Sequence, residues 1–217
     1  MINWGILGLG RMGITFANSI NETSNSKLIG IASKSGKTFK NFNNNTYEDL
    51  IQDEKINAIY ISTLNNTHID LIKEILKKEK KILCEKPVSV SLEDLINVKK
   101  LILKKNIQFY EAIAYYSHPQ TFDLINLIKN DEIGEIQSVE CNFGFKAKFN
   151  PSSRLFDKSL GGGCIHDVGC YPLSFLMLLT KNPEKIIIKS KTLTYAKSGV
   201  DDDATAILNC DNNFEGK

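Results

Sequence analysis

Surplus charge of either sign is missing from this chain: 27 basic and 25 acidic residues leave a formal charge of +2. The lysines are interleaved with acids rather than gathered in a strip, which speaks against a nucleic-acid partner. No apolar stretch approaches the length of a membrane span, and the N-terminus enters a strand pattern without a charged n-region or cleavage-like site. No membrane association and a cytoplasmic location are therefore expected. The five cysteines are odd in number and contain no Cys-x-x-Cys pair, which points to reduced core thiols rather than disulfides or structural zinc. Histidine is limited to His68, His118 and His166, none at metal-ligand spacing with a cysteine or acid, so no metal is expected.

What is present reads as an ordinary soluble globular chain: 42% hydrophobic and 24% charged residues over 217 positions, enough for one or two domains. Residues 2–7 form a short apolar run closed by glycines, and 11–20 show helical spacing. Strands are predicted at 27–32, 58–62, 81–84 and 107–112, with helices at 46–51, 67–78 and 91–105 between them. Such alternation predicts an α/β Rossmann domain over 1–117, a parallel sheet covered on both faces with right-handed crossovers. The pattern then changes. A helix at 119–129, strands at 136–148, 185–195 and 204–210, and a helix at 164–180 predict an α+β domain over 118–217 with a predominantly antiparallel open sheet.

The turn Gly8-Leu9-Gly10-Arg11-Met12-Gly13 follows a predicted strand and opens a predicted helix, the setting in which a glycine fingerprint binds a dinucleotide. Gly8 permits the tight turn, Gly10 lets backbone approach a pyrophosphate, and Gly13 allows close helix packing, with the helix N-terminus facing the phosphates. After the second strand, where an acid would hold the ribose of NAD, the chain has Ser33 and Lys34 instead. Hydroxyls and a cation there favour NADP, with NAD possible. The third strand ends at the sheet edge where dinucleotides lie, which makes Thr63, Asn65 and His68 candidate cofactor contacts and Asn66 or Thr67 a helix cap.

Two further stretches carry chemistry: Glu85-Lys86-Pro87, and the run from Gly161-Gly162-Gly163 through Asp167 to Tyr171-Pro172. Oxidising a carbinol requires loss of its hydroxyl proton to a nearby base. Tyrosine is a weak base at its ordinary pKa of about 10, and a neighbouring ammonium such as Lys86 favours the phenolate. Asp167 and Tyr171 are spaced i, i+4, so a helix would set them on one face, although Pro172 predicts a kink or restart. On spacing alone, Tyr171 as a packing aromatic and Asp167 as a helix-end residue are equally open.

These stretches, with Tyr110-Glu111-Ala112, His118-Pro119-Gln120 and the segment Asn150 to Leu155, resemble in order the Gfo/Idh/MocA oxidoreductases over essentially the whole chain. The resemblance implies that Lys86 lies between cofactor and substrate, that Glu85 helps seat the nicotinamide ribose, and that Asp167 and Tyr171 reach the substrate. Tyrosine at 171 is similar to the glucose-fructose oxidoreductase, dihydrodiol dehydrogenase and xylose dehydrogenase branch. That implies an NAD(P)-dependent oxidoreductase acting on a small-molecule sugar, polyol or dihydrodiol. The branch usually has an arginine after the first tyrosine of Tyr115-Tyr116-Ser117, so Arg154 is a candidate substrate ligand instead, with a salt bridge as its other reading. Family members run well past three hundred residues, so the chain is expected to be a C-terminally incomplete copy of a protein that is a homo-oligomer at full length. The same fold also hosts dinucleotide-sensing regulatory or scaffold proteins, the alternative reading.

Overall fold

The computed structural model describes residues 1–210 and 214–217. They divide into two compact units, Met1–Ala112 and Ile113–Lys217, a division ahead of the expected boundary at 117.

In the first unit, hydrophobicity on both faces of each strand dictates the architecture. In β1 (Ile2–Leu7), Ile6 enters one apolar cluster and Leu7 the other. In β2 (Ser26–Ala32), Ile31 and Ala32 divide in the same way. In β4 (Ala58–Ile61), Tyr60 opposes Ile59 and Ile61. Strands buried on both sides suit a parallel sheet between helices. With β3 (Asn44–Asn45), β5 (Lys81–Cys84) and β6 (Phe109–Glu111) they form a six-stranded sheet in the order β3-β2-β1-β4-β5-β6, every pair parallel. The order reverses between β1 and β4, which opens a crevice at their carboxyl ends.

The helices begin and end where local chemistry allows. After α1 (Arg11–Ile20), α2 (Tyr47–Gln52) opens on a capping box in which Thr46 accepts from the Asp49 amide and Asp49 accepts from the Thr46 amide. Following α3 (His68–Lys77), α4 (Leu92–Lys105) is capped by Ser91 and carries Glu93 and Asp94 in its first turn and Lys104 and Lys105 in its last, matching the helix dipole.

The second unit holds α5 (Pro119–Lys129), α6 (Cys170–Leu179) and a four-stranded sheet in the order β7-β10-β9-β8. Here β8 (Ile187–Tyr195) and β9 (Asp201–Asn209) form an antiparallel hairpin, β10 (Glu215–Gly216) pairs antiparallel with β9, and β7 (Ser138–Val139) pairs parallel with β10. Leu176, Leu208, Cys210 and Phe214 make its core.

Three expectations are corrected in this unit. The strand predicted at 136–148 shrinks to Ser138–Val139. An alternating pattern supplies a face but not a partner, and the last backbone bond along β10 runs from the Cys141 amide to the Lys217 carbonyl. Conversely, β9 begins at Asp201 rather than 204, although aspartate is a poor strand former. Finally, the helical run Lys158–Leu179 spans 22 residues and is, by length and composition, apolar enough to cross a membrane, against the expectation that no stretch approaches that length. Only 22% of its apolar window is buried, with Asp167, Val168 and Leu176 among the buried residues of the run.

Candidate functional site

The first unit builds its site on the glycine turn after β1. Gly8 adopts φ +94°, and a Cβ there would lie 2.6 Å from the Ser62 carbonyl oxygen at the end of β4. A Cβ on Gly13 would lie 2.2 Å from the Gly8 oxygen and 2.9 Å from Ser62 Oγ. Ser62 Oγ donates to the Gly8 carbonyl at 2.8 Å, and the Gly8 amide donates to Ala32 at 2.8 Å. The turn is thereby pinned to the ends of β2 and β4. Gly10 differs: a Cβ there would meet nothing within 4 Å. The start of α1, with its unpaired first-turn amides and no acidic residue, therefore opens on free space that suits a dinucleotide pyrophosphate. Arg11 and Met12 are exposed beside it. Leu9 was expected at the cofactor, but its side chain is 3% exposed and packs in the core, so only its backbone can line the turn.

At the end of β2, Ser33 is anchored by Asn44: the Ser33 amide donates to Asn44 Oδ1 at 2.7 Å, and Asn44 Nδ2 donates to the Ser33 carbonyl at 3.1 Å. The hydroxyls of Ser33 and Ser35 lie 2.8 Å apart. Lys34 is exposed, with Nζ 5.9 Å from the centroid of the Tyr47 ring. Burial pushes the Tyr47 hydroxyl above its ordinary pKa despite its hydrogen bond with the Lys34 backbone. Ser35 belongs to the hydroxyl-rich stretch Ser33-Lys34-Ser35 that favours NADP; Asn44 and Tyr47 were not anticipated, because their contacts arise only when the segment that carries them folds beside the end of β2.

Lys86 sits on the loop after β5, joined to Pro87 by a cis peptide bond. His68 holds this loop. Its Nδ1 is 2.9 Å from the Pro87 carbonyl oxygen and its Nε2 is 3.3 Å from the Thr63 carbonyl oxygen. His68 is 0% exposed, which overturns its assignment as a cofactor contact: the ring is a strut between the loops after β4 and β5. Burial lowers its pKa, outweighing the opposite pull of the two carbonyls and of Glu85. The neutral ring has one N–H, and the shorter contact assigns it to Pro87. Thr63 Oγ1 lies 2.7 Å from Thr67 Oγ1, and Thr67 Oγ1 donates to the Leu64 carbonyl at 2.7 Å. Thr67 therefore makes no side-chain cap for α3, and Asn65 opens the short 3₁₀ turn before it.

Two carboxylates accompany Lys86. Glu85 Oε1 accepts a short hydrogen bond from the Tyr60 hydroxyl. Glu111 Oε1 accepts from the Val88 amide at 3.1 Å, and burial raises the Glu111 pKa against the lowering effects of that bond and of the Lys86 charge. Glu111 was legible only as part of a motif, with no role attached. Cys84 beneath them is fully buried, and desolvation raises its thiol pKa well above the ordinary value.

In the second unit, Asp167 lies in a π-turn, Ile165–Gly169, and Tyr171 in the first turn of α6. The kink or restart expected at Pro172 falls just ahead of it, where the π-turn gives way to α6 at Cys170, so that Pro172 lies in the first turn of α6. Asp167 is 8% exposed, and Arg154 Nη1 donates to its Oδ1 at 2.8 Å. Arg154 is thus the carboxylate's partner. Tyr171 packs its ring against Phe143 at 5.0 Å and Tyr115 at 6.4 Å. Ser174 bonds both Tyr115 and Tyr116, the second standing where the branch usually has an arginine: its Oγ lies 2.9 Å from the Tyr115 hydroxyl, and its carbonyl accepts from the Tyr116 hydroxyl at 3.0 Å. Burial pushes the Tyr115 phenol up to about 12, so it stays protonated near neutrality.

Comparison with known proteins places these features in a wider set. Residues 2–144 match the "Oxidoreductase family, NAD-binding Rossmann fold", and residues 123–217 match the "GFO/IDH/MocA C-terminal domain". The chain is 26% identical over 215 residues to a trans-1,2-dihydrobenzene-1,2-diol dehydrogenase of Xenopus tropicalis, covering 94% of this chain and 64% of that protein. It is 30% identical over 166 residues to D-xylose 1-dehydrogenase (NADP(+)) 2 of Haloferax volcanii, covering 76% and 50%. The chain therefore spans between half and about two thirds of these relatives. Its fold is similar to that of the 3-ketoreductase KijD10 of Actinomadura kijaniata, solved with NADP and TDP-benzene: TM-score 0.85, 19% identity, 99% of this chain and 68% of that one.

Gly10→Ala should leave the melting temperature within about 2 °C of the parent while weakening dinucleotide binding at least about tenfold, because the added methyl enters only the open space. Gly13→Ala should lose both binding and stability, and calorimetric titration beside thermal melts checks the contrast. His68, with its folded pKa depressed, binds fewer protons folded than unfolded. Its contribution to stability is present above the unfolded value of about 6.5 and is lost as pH falls toward the folded value. Denaturant titrations across that window should show this slope in the parent and a flatter one in His68→Leu.

Proposed function

From the chain's membership of the Gfo/Idh/MocA oxidoreductase family, we propose that it provides the cofactor and acid–base groups of an NADP-preferring oxidoreductase that interconverts a hydroxyl and a carbonyl on a sugar, cyclic polyol or dihydrodiol. One observation carries the reading. The loop that carries Lys86 is held next to the loop after β4, since His68 Nδ1 donates to the Pro87 carbonyl while the ring packs against the Thr63 carbonyl, and Ser62 bonds the Gly8 turn. A cation so fixed beside the switch point is where a polarising group is needed. Relatives named for D-xylose and for a dihydrodiol support the substrate class, and an NADP-named relative supports the cofactor.

When bound, the nicotinamide exchanges the carbon-bound hydrogen with its electron pair. The chain's own groups handle the rest. Tyr171 takes the hydroxyl proton as its phenolate in oxidation and, as the phenol so formed, returns it in reduction. Lys86 stabilises negative charge that develops on the substrate oxygen. Tyr115 is unsuited to this task, since its buried phenol is pushed up to about 12 and bonded to Ser174. Asp167, oriented by Arg154, accepts a further substrate hydroxyl. Glu85, steadied by the Tyr60 hydroxyl, accepts from the nicotinamide ribose. Gly8 to Gly13 cradle the pyrophosphate, and Ser33 and Lys34 meet the 2′-phosphate.

Titration with NADP and then NAD should show tighter binding of NADP. In Lys34→Ala the ratio between them should shrink about tenfold, the loss of one charge-assisted hydrogen bond; an unchanged ratio removes Lys34 from cofactor choice. Lys86→Ala should reduce turnover of D-xylose or trans-1,2-dihydrobenzene-1,2-diol by about 10²–10⁴-fold with NADP affinity nearly retained. Unchanged turnover would remove Lys86 from the mechanism.

A further inference from the structure

The second and third glycines of the run before Asp167 have distinct environments. A Cβ on Gly162 would lie 2.8–2.9 Å from the carbonyl oxygens of Leu155, Arg154 and Asp157. A Cβ on Gly163, which adopts φ +115°, would lie 2.3 Å from Oδ1 of Asp201. Asp201 is the first residue of β9, beyond a hairpin turn in which the Ala196 amide donates to the Val200 carbonyl at 2.9 Å. Its Oδ2 accepts from the Ile165 amide at 2.7 Å, across 36 residues of sequence. The Cys164 thiol also bonds this carboxylate; burial first, and then that bond and the Asp201 charge, push the thiol up to about 12. Cys164 itself, at the cap position, contributes no side-chain cap. The helix that carries Asp167 and Tyr171 is therefore capped by another strand.

We propose that Asp201 is a positioning residue for the acid–base groups: by seating its carboxylate in the space left by Gly163 and bonding Ile165 and Cys164, it sets the axial and rotational position of the π-turn and of the first turn of α6. This rests on the acid–base reading of Tyr171. Ile165 lies two residues before Asp167, and the Asp167 amide donates to the Gly163 carbonyl at 3.0 Å. Displacement of Gly163 thus reaches Asp167 directly. A negative group at a helix start also complements its dipole. The cost is visible in β9, which opens on Asp201, Asp202 and Asp203, residues that strands disfavour. Asp202 recovers part of it by accepting from the Thr194 hydroxyl at 2.6 Å.

The test is a double-mutant cycle between Asp201 and Tyr171, run with NADP and whichever of D-xylose and trans-1,2-dihydrobenzene-1,2-diol the parent oxidises. Asp201→Ala should lower kcat about fiftyfold with KM changed less than about threefold, and Asp201→Asn, which keeps an acceptor for Ile165, should recover most of it. In the Tyr171→Phe background, Asp201→Ala should add less than about twofold, since its effect passes through Tyr171. A full effect in that background, or none in the parent, overturns the proposal. NADP affinity and a thermal melt report whether Asp201→Ala folds. Should it not fold, Asp201→Asn is used outside the cycle and read by Cys164 alkylation with iodoacetamide: faster alkylation than in the parent supports the contact, and an unchanged rate overturns it. Tyr171→Phe with parental kcat would overturn the acid–base reading itself, which the alkylation rate does not depend on.

Discussion

Backbone packed on backbone, where the glycine turn meets the end of β4, is the constraint from which the rest of the first unit follows. Gly8 and Gly13 have no room for a Cβ because the Ser62 carbonyl and the Gly8 carbonyl occupy that space. Bringing main chains this close places the start of α1 directly over the carboxyl ends of β1 and β4. The open space at Gly10 then lies where helix amides converge, so the same contact that excludes side chains creates an anion site. Ser62 closes the arrangement by donating its hydroxyl into the turn, and the chain continues from Ser62 into Thr63, whose carbonyl faces His68.

His68 extends that order to the chemistry. A neutral imidazole sealed from water between two carbonyl oxygens joins the β4 loop to the cis Lys86-Pro87 loop without being near solvent. Its burial lowers its pKa, which keeps it uncharged and so reduces the cost of its enclosure. Glu85 and Glu111, the second of which feels the Lys86 charge, are each tied down as well, one by a phenol and one by an amide.

The second unit uses a missing Cβ differently. At Gly163 the vacated space admits a carboxylate from a distant strand rather than a carbonyl from a neighbouring one, and that carboxylate caps a helix start with no cap of its own. Arg154 then neutralises Asp167 from the loop before the glycines. Aromatic packing of Tyr171 on Phe143 and Tyr115, with Ser174 holding the Tyr115 and Tyr116 phenols, completes a setting in which each candidate side chain has neighbours distant in sequence.

The alternation of strands buried on both faces with amphipathic helices determined the first domain by itself, because each segment's own periodicity says which faces need cover. The glycine turn was legible for a similar reason, since its chemistry is local, whereas Glu85-Lys86-Pro87 and Asp167-Tyr171 stood out by family resemblance, spacing alone leaving Asp167 and Tyr171 open between functional and packing roles. Tertiary structure alone decided what depends on a partner. The pattern over 136–148 shows a strand face but not the two-residue pairing with β10 that it receives, and three aspartates conceal a strand whose first member is needed elsewhere. His68 and Leu9 sit where ligand contacts are expected, yet which way a side chain turns is settled by the space beside it, and both turn inward. Pro172 signals a break that the π-turn has already absorbed. Local sequence specifies backbone preference and buried faces; the direction of a polar side chain, and hence its role, follows from neighbours that only folding supplies.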